Sequence, residues 1–135
     1  MKIDLKKILA LGENQQVEFK THFNRETIET LVAFANAEGG EVVLGVTDGG
    51  KIIGIESNPE SIQNWINEVK MKTEPSLLVD AAVANNDGKS VVVLSVPEYP
   101  VKPISMQGRY FKRVNNSNHL LSATEIVNLS FLSDW

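Results

Sequence analysis

Hydrophobic positions change period several times along this chain, and each change marks a new element. Between residues 2 and 11, Ile3, Leu5, Ile8 and Leu9 stand among lysines, the pattern of a short amphipathic helix on a domain edge that Gly12 ends. From Gln16 to Phe23 the period falls to two: Val17, Phe19 and Thr21 share one face, and Glu18, Lys20 and His22 share the other, as in a half-buried strand. Asn24 is then a good N-cap for a helix from about Arg25 to Ala37. Its Ile28, Leu31, Val32 and Ala35 repeat as one buried stripe, and Gly39 or Gly40 supplies the left-handed stop. Val42 to Val46 is nearly all apolar, which predicts a strand covered on both faces and a right-handed strand-helix-strand unit.

Asp48-Gly49-Gly50 predicts a turn into a further strand, Lys51 to Ile55. A helix starts at Asn58 with Pro59 in its first turn and carries Ile62, Trp65, Ile66 and Val69 to about Lys72. Two strands, about Leu77 to Ala84 and Ser90 to Val96, flank the turn Asn85-Asn86-Asp87-Gly88, and a short pair flanks Gln107-Gly108. Ser122-Ala123-Thr124-Glu125 is a capping box for a last helix with Ile126, Val127, Leu129 and Phe131. The expected order is αβαββαββββα: an α/β fold, a mixed β-sheet with helices packed on it. No repeat or low-complexity tract divides the chain, and the loosest stretch is Pro97 to Pro103 with its three prolines, so residues 1–135 are expected to form one domain.

With 135 residues, 42% of them hydrophobic, such a domain can bury a core without staples. Cysteine is absent and histidine occurs twice, so any metal needs mainly oxygen ligands, which selects hard cations such as magnesium or manganese. No apolar stretch approaches the roughly 20 residues that span a bilayer, and the start lacks a signal peptide's apolar core, so a cytoplasmic protein without membrane partners is expected. The formal charge of −4 argues against wholesale coating of nucleic acid, whose binding depends on neutralised phosphates. Any such role needs a local basic patch.

Tyr99 to Thr124 supplies one. It holds no aspartate or glutamate but contains Lys102, Arg109, Lys112, Arg113 and His119. Arg109, Phe111 and Arg113 fall on one face of a strand and Tyr110 and Lys112 on the other, before a polar loop Asn115-Asn116-Ser117-Asn118. Guanidiniums, aromatics and amides together suit phosphate contact and base stacking. The alternative is a solvated edge strand whose cations deter aggregation.

Three carboxylates can also converge. Glu13 and Glu18 lie five positions apart, and Asp48 follows the neighbouring strand. Two or three carboxylates can hold a divalent cation that activates water for backbone cleavage. The plain alternative pairs Glu13 and Glu18 with Lys20 and Arg25 and leaves Asp48 a turn former. Gly39, Gly40, Gly49 and Gly50 match no nucleotide-binding pattern, and a helix C-terminus presents carbonyls to the first pair, so all four are taken as turn glycines. His22 and His119 lack metal-ligand spacing, Trp65 belongs to the apolar stripe of its helix, and the terminal Trp135 is either disordered or packed on a partner.

Glu13-Asn14-Gln15-Gln16-Val17-Glu18-Phe19-Lys20, then Phe34-Ala35-Asn36-Ala37-Glu38-Gly39-Gly40, then Gly45-Val46-Thr47-Asp48 and a closing Gly54-Ile55, read as ExxxxEFK, FANxxGG, GVxD and GI. This series resembles the Schlafen-like, Alba-related domain family from about Glu13 to Ile126, and Gly108-Arg109-Tyr110-Phe111-Lys112-Arg113-Val114 is similar to its late Gly-x-Tyr-x-Arg strand. The resemblance departs where the family's glycine and serines after that arginine are replaced by Val114, Asn115 and Asn116.

The resemblance implies a DNA-binding or other nucleic-acid-binding domain of a transcriptional regulator or defence protein, and Lys20, Lys102, Arg109, Tyr110, Lys112 and Arg113 are the candidate contacts. A second implication is a divalent-metal endoribonuclease with Glu13, Glu18 and Asp48 as metal ligands and catalytic groups and Mg or Mn as cofactor; without that activity no cofactor is expected. A third is an oligomerisation or interaction module of a larger regulator, with a homo-oligomer as its simplest form.

Overall fold

The computed structural model describes residues 4–131. Its elements are α1 (Leu5–Leu11), β1 (Val17–Lys20), α2 (Arg25–Ala35), β2 (Gly40–Leu44), α3 (Pro59–Lys72), β3 (Thr73–Glu74), β4 (Asp80–Asn86), β5 (Lys89–Val96), β6 (Ser105–Met106), β7 (Arg109–Val114), β8 (Ser117–Leu120) and α4 (Ala123–Phe131). They form two four-stranded sheets, β1-β2-β5-β4 and β3-β6-β7-β8. The first is mixed: β1 runs parallel to β2, with α2 as the crossover, while β5 and β4 join antiparallel.

α2 packs against β2 and β5 of one sheet and β6, β7 and β8 of the other. Lying between two sheets, it buries far more than one stripe: Thr27, Ile28, Thr30, Leu31, Val32, Ala33, Phe34 and Ala35 are all inaccessible. Past its first turn only Glu29 keeps partial exposure, and the rest of the helix is apolar or threonine, as burial against two sheets requires. Its N-terminus is closed by reciprocal bonds between Asn24 and Thr27, a capping box that satisfies two otherwise orphaned donors.

β2 is covered on both faces, as its composition predicts. Val42 and Leu44 join Val92, Leu94 and Val96 in the core around α2, whereas Val43 joins Val17, Phe19, Val91 and Val93 beneath Leu5 of α1. Phe23, beyond β1, stacks on Trp65 of α3 with ring centroids 5.5 Å apart, which seats that helix against the main core.

The order differs from expectation in three places. Lys51 to Ile55 does not form a strand; only an isolated bridge joins Val46 to Ile52. Gly45, at φ +100, lies so close to Gly54 that a Cβ on Gly45 would stand 2.9 Å from the Gly54 carbonyl carbon, and the amides of Ile53 and Gly54 both donate to the Gly45 carbonyl. That crossing takes the carbonyl out of any ladder. Second, Leu77 to Val79 precede the strand, which starts at Asp80, because Leu77 N–H is taken by the Thr73 hydroxyl. Third, β3 and β8 are additional, giving six strands after α3 rather than four. The predicted position of Trp135, and of Ile3 at the head of the first helix, lies outside the described residues.

Candidate nucleic-acid interface

β7 brings Phe111 and Arg113 inward toward α2 and turns Tyr110 and Lys112 outward, so the period-two reading of this strand is observed. Burial, however, separates residues that share a face. Arg109, at the strand's start, is exposed, and its guanidinium sits 5.6 Å from the Phe111 ring centroid with no carboxylate partner among the described residues.

Arg113 is wholly enclosed: its side chain is 0% exposed and faces Glu18, itself 12% exposed, at 2.8 Å. The same guanidinium donates to Asn118 Oδ1 at 2.9 Å and to the carbonyls of Asn14 at 3.0 Å and Val17 at 3.3 Å, over the Phe34 ring. Four donors of a planar fork are thus used inside the protein. Arg113 therefore stands as a tie between β1 and β7 and is not a surface contact; its charge was legible in the sequence, its burial was not.

The candidate lysines are at least partly exposed, Lys102 least of all, but engaged. Lys20 pairs with Glu26 at 3.1 Å, Lys102 with Glu98 at 2.8 Å, and Lys112 with Glu125 of α4. The acid-free stretch is acid-free only in sequence, since Glu18, Glu98 and Glu125 reach it from outside. The Lys112 ammonium, helped by the Ser122 backbone amide, lowers the Glu125 pKa to about 2. Tyr110 is half-buried. Arg109 with Tyr110, the exposed His119 and the loop Asn115-Asn116-Ser117 form the open part of this face.

The three carboxylates are placed for other work. Glu13 Oε2 accepts the Phe19 backbone amide at 3.0 Å, Glu18 faces Arg113, and Asp48 is exposed in the turn after β2. Among the described residues no group of three His, Cys, Asp or Glu side chains is arranged to hold a metal ion. A cation would have to displace the buried Arg113 from Glu18, so these residues as placed do not fit one.

The glycines act through close approach. Gly39 has φ +80, and a Cβ there would meet the Glu98 amide nitrogen and Val96 carbonyl oxygen at 2.9 Å; at Gly40 it would meet the Phe34 ring at 2.7 Å. Gly49 has open space around it, and Gly50 takes the positive φ of the turn at +88.

Several residues that hold this region together are inconspicuous in the sequence. Asn36 is buried at the end of α2 and donates to the carbonyls of Ile104 at 2.9 Å and Phe111 at 2.8 Å while accepting the Ile104 amide at 2.6 Å. One amide within the apolar stretch Leu31 to Ala37 was the available hint, because a buried polar group must find partners. Gln15 bridges the Arg113 carbonyl and the Asn115 amide, and Asn118 links Arg113 to Thr30.

Known proteins place this geometry in context. The chain is similar over 97% of its length to the DIP2311 protein of Corynebacterium diphtheriae, with TM-score 0.73 and 19% identity, spanning 28% of that protein. It is similar over 88% of its length to the N-terminal domain of a Nitrosomonas europaea protein whose name relates it to the ATP-dependent DNA helicase RecG, with TM-score 0.59, 22% identity and 92% of that domain covered. At these identities the likeness concerns the fold alone. A 61-residue segment is 46% identical to an uncharacterized ATP-binding protein of Ureaplasma parvum, matching 41% of this chain and 17% of that one. The chain thus spans less than a third of the length of two of these three proteins. Residues 13–122 match the model of the Schlafen, AlbA_2 family, and the chain belongs to that family.

Proposed function

We propose that this chain is a nucleic-acid-binding domain working within a regulatory or defence protein, and that β7, its hairpin with β8 and the loop between them form the contact face. The observation that carries this reading is Arg109, an exposed guanidinium held over Phe111 and free of any carboxylate partner among the described residues, in a segment without acids of its own. A planar cation kept in place by an aromatic ring suits a phosphate or the face of a base. Membership of the Schlafen, AlbA_2 family and the fold shared with a domain from a protein named for a DNA helicase support the same reading.

A domain of net charge −4 must bind through a small positive face, so affinity should be modest and steeply salt-dependent. The test is titration of single- and double-stranded DNA and RNA at several salt concentrations with the parent and Arg109→Ala. The expected result is weaker binding and a salt slope flatter by roughly 0.7 to 0.9 for the one phosphate contact removed. Equal affinity and slope in both proteins would reject this face.

A further inference from the structure

Between β7 and α4, beside the Arg109 end of the contact face described above, lies a cleft of about 230 Å³. Leu121, Leu129 and Ala37 give it apolar walls, and Asn36, Lys112, Arg113, Glu125 and Asn128 give it polar groups. From α4, Glu125, Asn128 and Leu129 reach it at helical i, i+3, i+4 spacing, so one face of the helix forms one side of the cleft. Its volume is below the roughly 300–1,000 Å³ usual for drug-sized ligands, which limits the occupant to about one ring system.

One polar group here is unused. The Asn128 amide, on the rim, has no hydrogen-bond partner among the described residues and offers both donors and an acceptor.

The charge around the cleft decides what can enter. Lys112 already carries Glu125, and Arg113 already carries Glu18, so the local cations are neutralised. The carbonyl end of α2, at Asn36 and Ala37, adds partial negative charge. A phosphate is therefore disfavoured inside, whereas a neutral ring with both donors and acceptors on its edge matches the groups present. Outside, His119 is the cross-strand partner of Lys112 and is exposed on the same side of the hairpin. That position suits a flanking phosphate.

We infer that this cleft takes one unstacked nucleobase of a single-stranded nucleic acid, with Asn128 reading its edge and Leu121 and Leu129 against its faces. Single strands are the form whose bases can leave the stack for such a pocket. The inference names the substrate class for the nucleic-acid reading above and rests on it.

The experiment uses the full chain and two probes. A single-stranded decamer is compared with the same decamer made wholly abasic, and the four nucleoside monophosphates are titrated separately while the backbone amides of Asn36, Leu121 and Leu129 are followed by NMR. The expected result is that the parent prefers the intact decamer by roughly tenfold, a factor that two neutral hydrogen bonds and a buried ring can supply. At least one monophosphate should shift the cleft amides, and Asn128→Leu, on an exposed helix position, should reduce the preference to about twofold or less with an unchanged melting temperature. Equal affinity for intact and abasic decamers, with no shifts in the cleft, would overturn the pocket and leave the Arg109 face standing. Cleft shifts with a monophosphate, but no binding of either decamer, would keep a base-sized site and reject single-stranded nucleic acid as its substrate. No binding of any probe here would reject the pocket, and the double-stranded titrations with Arg109→Ala then decide the nucleic-acid reading separately.

Discussion

The guanidinium of Arg113 and the carboxylate of Glu18 face each other at 2.8 Å, 95 residues apart in sequence, and join the edge strand of one sheet to a central strand of the other. Among the described residues neither group has a second ion-pair partner. Glu18 sits on the face of β1 opposite the buried Val17 and Phe19, so strand alternation aims it at β7.

Removing one member of this pair should be severe. Glu18→Ala leaves a buried cation against two carbonyls and an amide and is expected to cost about 3–5 kcal/mol, read from denaturant midpoints. The double variant Glu18→Ala with Arg113→Met should recover much of that loss, because both desolvated charges are gone. If Glu18→Ala instead melts like the parent and abolishes a metal-dependent cleavage of RNA, the ion-pair role is wrong and the metal role returns.

Gly39 and Gly40 are expected to fail differently from Gly49. Alanine at Gly39 faces both a positive φ and backbone atoms at 2.9 Å, and alanine at Gly40 strikes the buried Phe34 ring at 2.7 Å. Each should lose about 1–3 kcal/mol by strain and overpacking. Gly49→Ala, with nothing within 4 Å, should stay within about 0.5 kcal/mol of the parent. Comparable losses at all three sites would show that the turn, rather than the close approach, sets the requirement.

Asn36→Ala would strand the Ile104 amide and the carbonyls of Ile104 and Phe111, all of which its side chain serves. With about 1–3 kcal/mol for each buried group left unpaired, partly offset by relaxation and entering water, a net loss of about 3 kcal/mol is expected. Hydrogen exchange at Ile104 should accelerate before that of Val42 in the first sheet. Uniform acceleration through both sheets would argue that Asn36 does not hold the second sheet specifically.

The contact between α4 and β7 should depend on pH. Glu125 has its pKa lowered from 4.5 to about 2 by Lys112, so the folded form binds this proton more weakly than the unfolded one. The contribution is therefore fully present above about pH 4.5 and is lost as pH falls toward 2. NMR of the Glu125 carboxyl should show a midpoint well below the ordinary range, and Lys112→Ala should restore it. A Glu125 titration at the ordinary carboxylate position in the parent would refute the pairing.

Local pattern determined much of this protein. The caps at Asn24 and Asn58, the turn at Asp87-Gly88 and the capping box from Ser122 to Glu125 all depend on neighbours a few residues away, and each is observed; the strand expected over Val42 to Val46 is also present and covered on both faces, shifted to Gly40–Leu44. The family was also legible, because its glycines, acids and aromatic strand have characteristic spacing.

Tertiary structure decided the rest. Period two assigns Arg109 and Arg113 to one face of β7, but only the position of α2 leaves the first in solvent and encloses the second. An acid-free run says nothing of acids arriving from 13 residues away, as Glu125 does to Lys112, or from 95 away, as Glu18 does to Arg113. The expected strand at Lys51 to Ile55 was lost to the approach of Gly45 and Gly54, and α2 buries more than one stripe from Thr27 to Ala35, with only Glu29 of that stretch partly exposed, because two sheets, not one, close on it. Charge and propensity belong to a residue. Burial and pairing belong to whatever the fold brings against it.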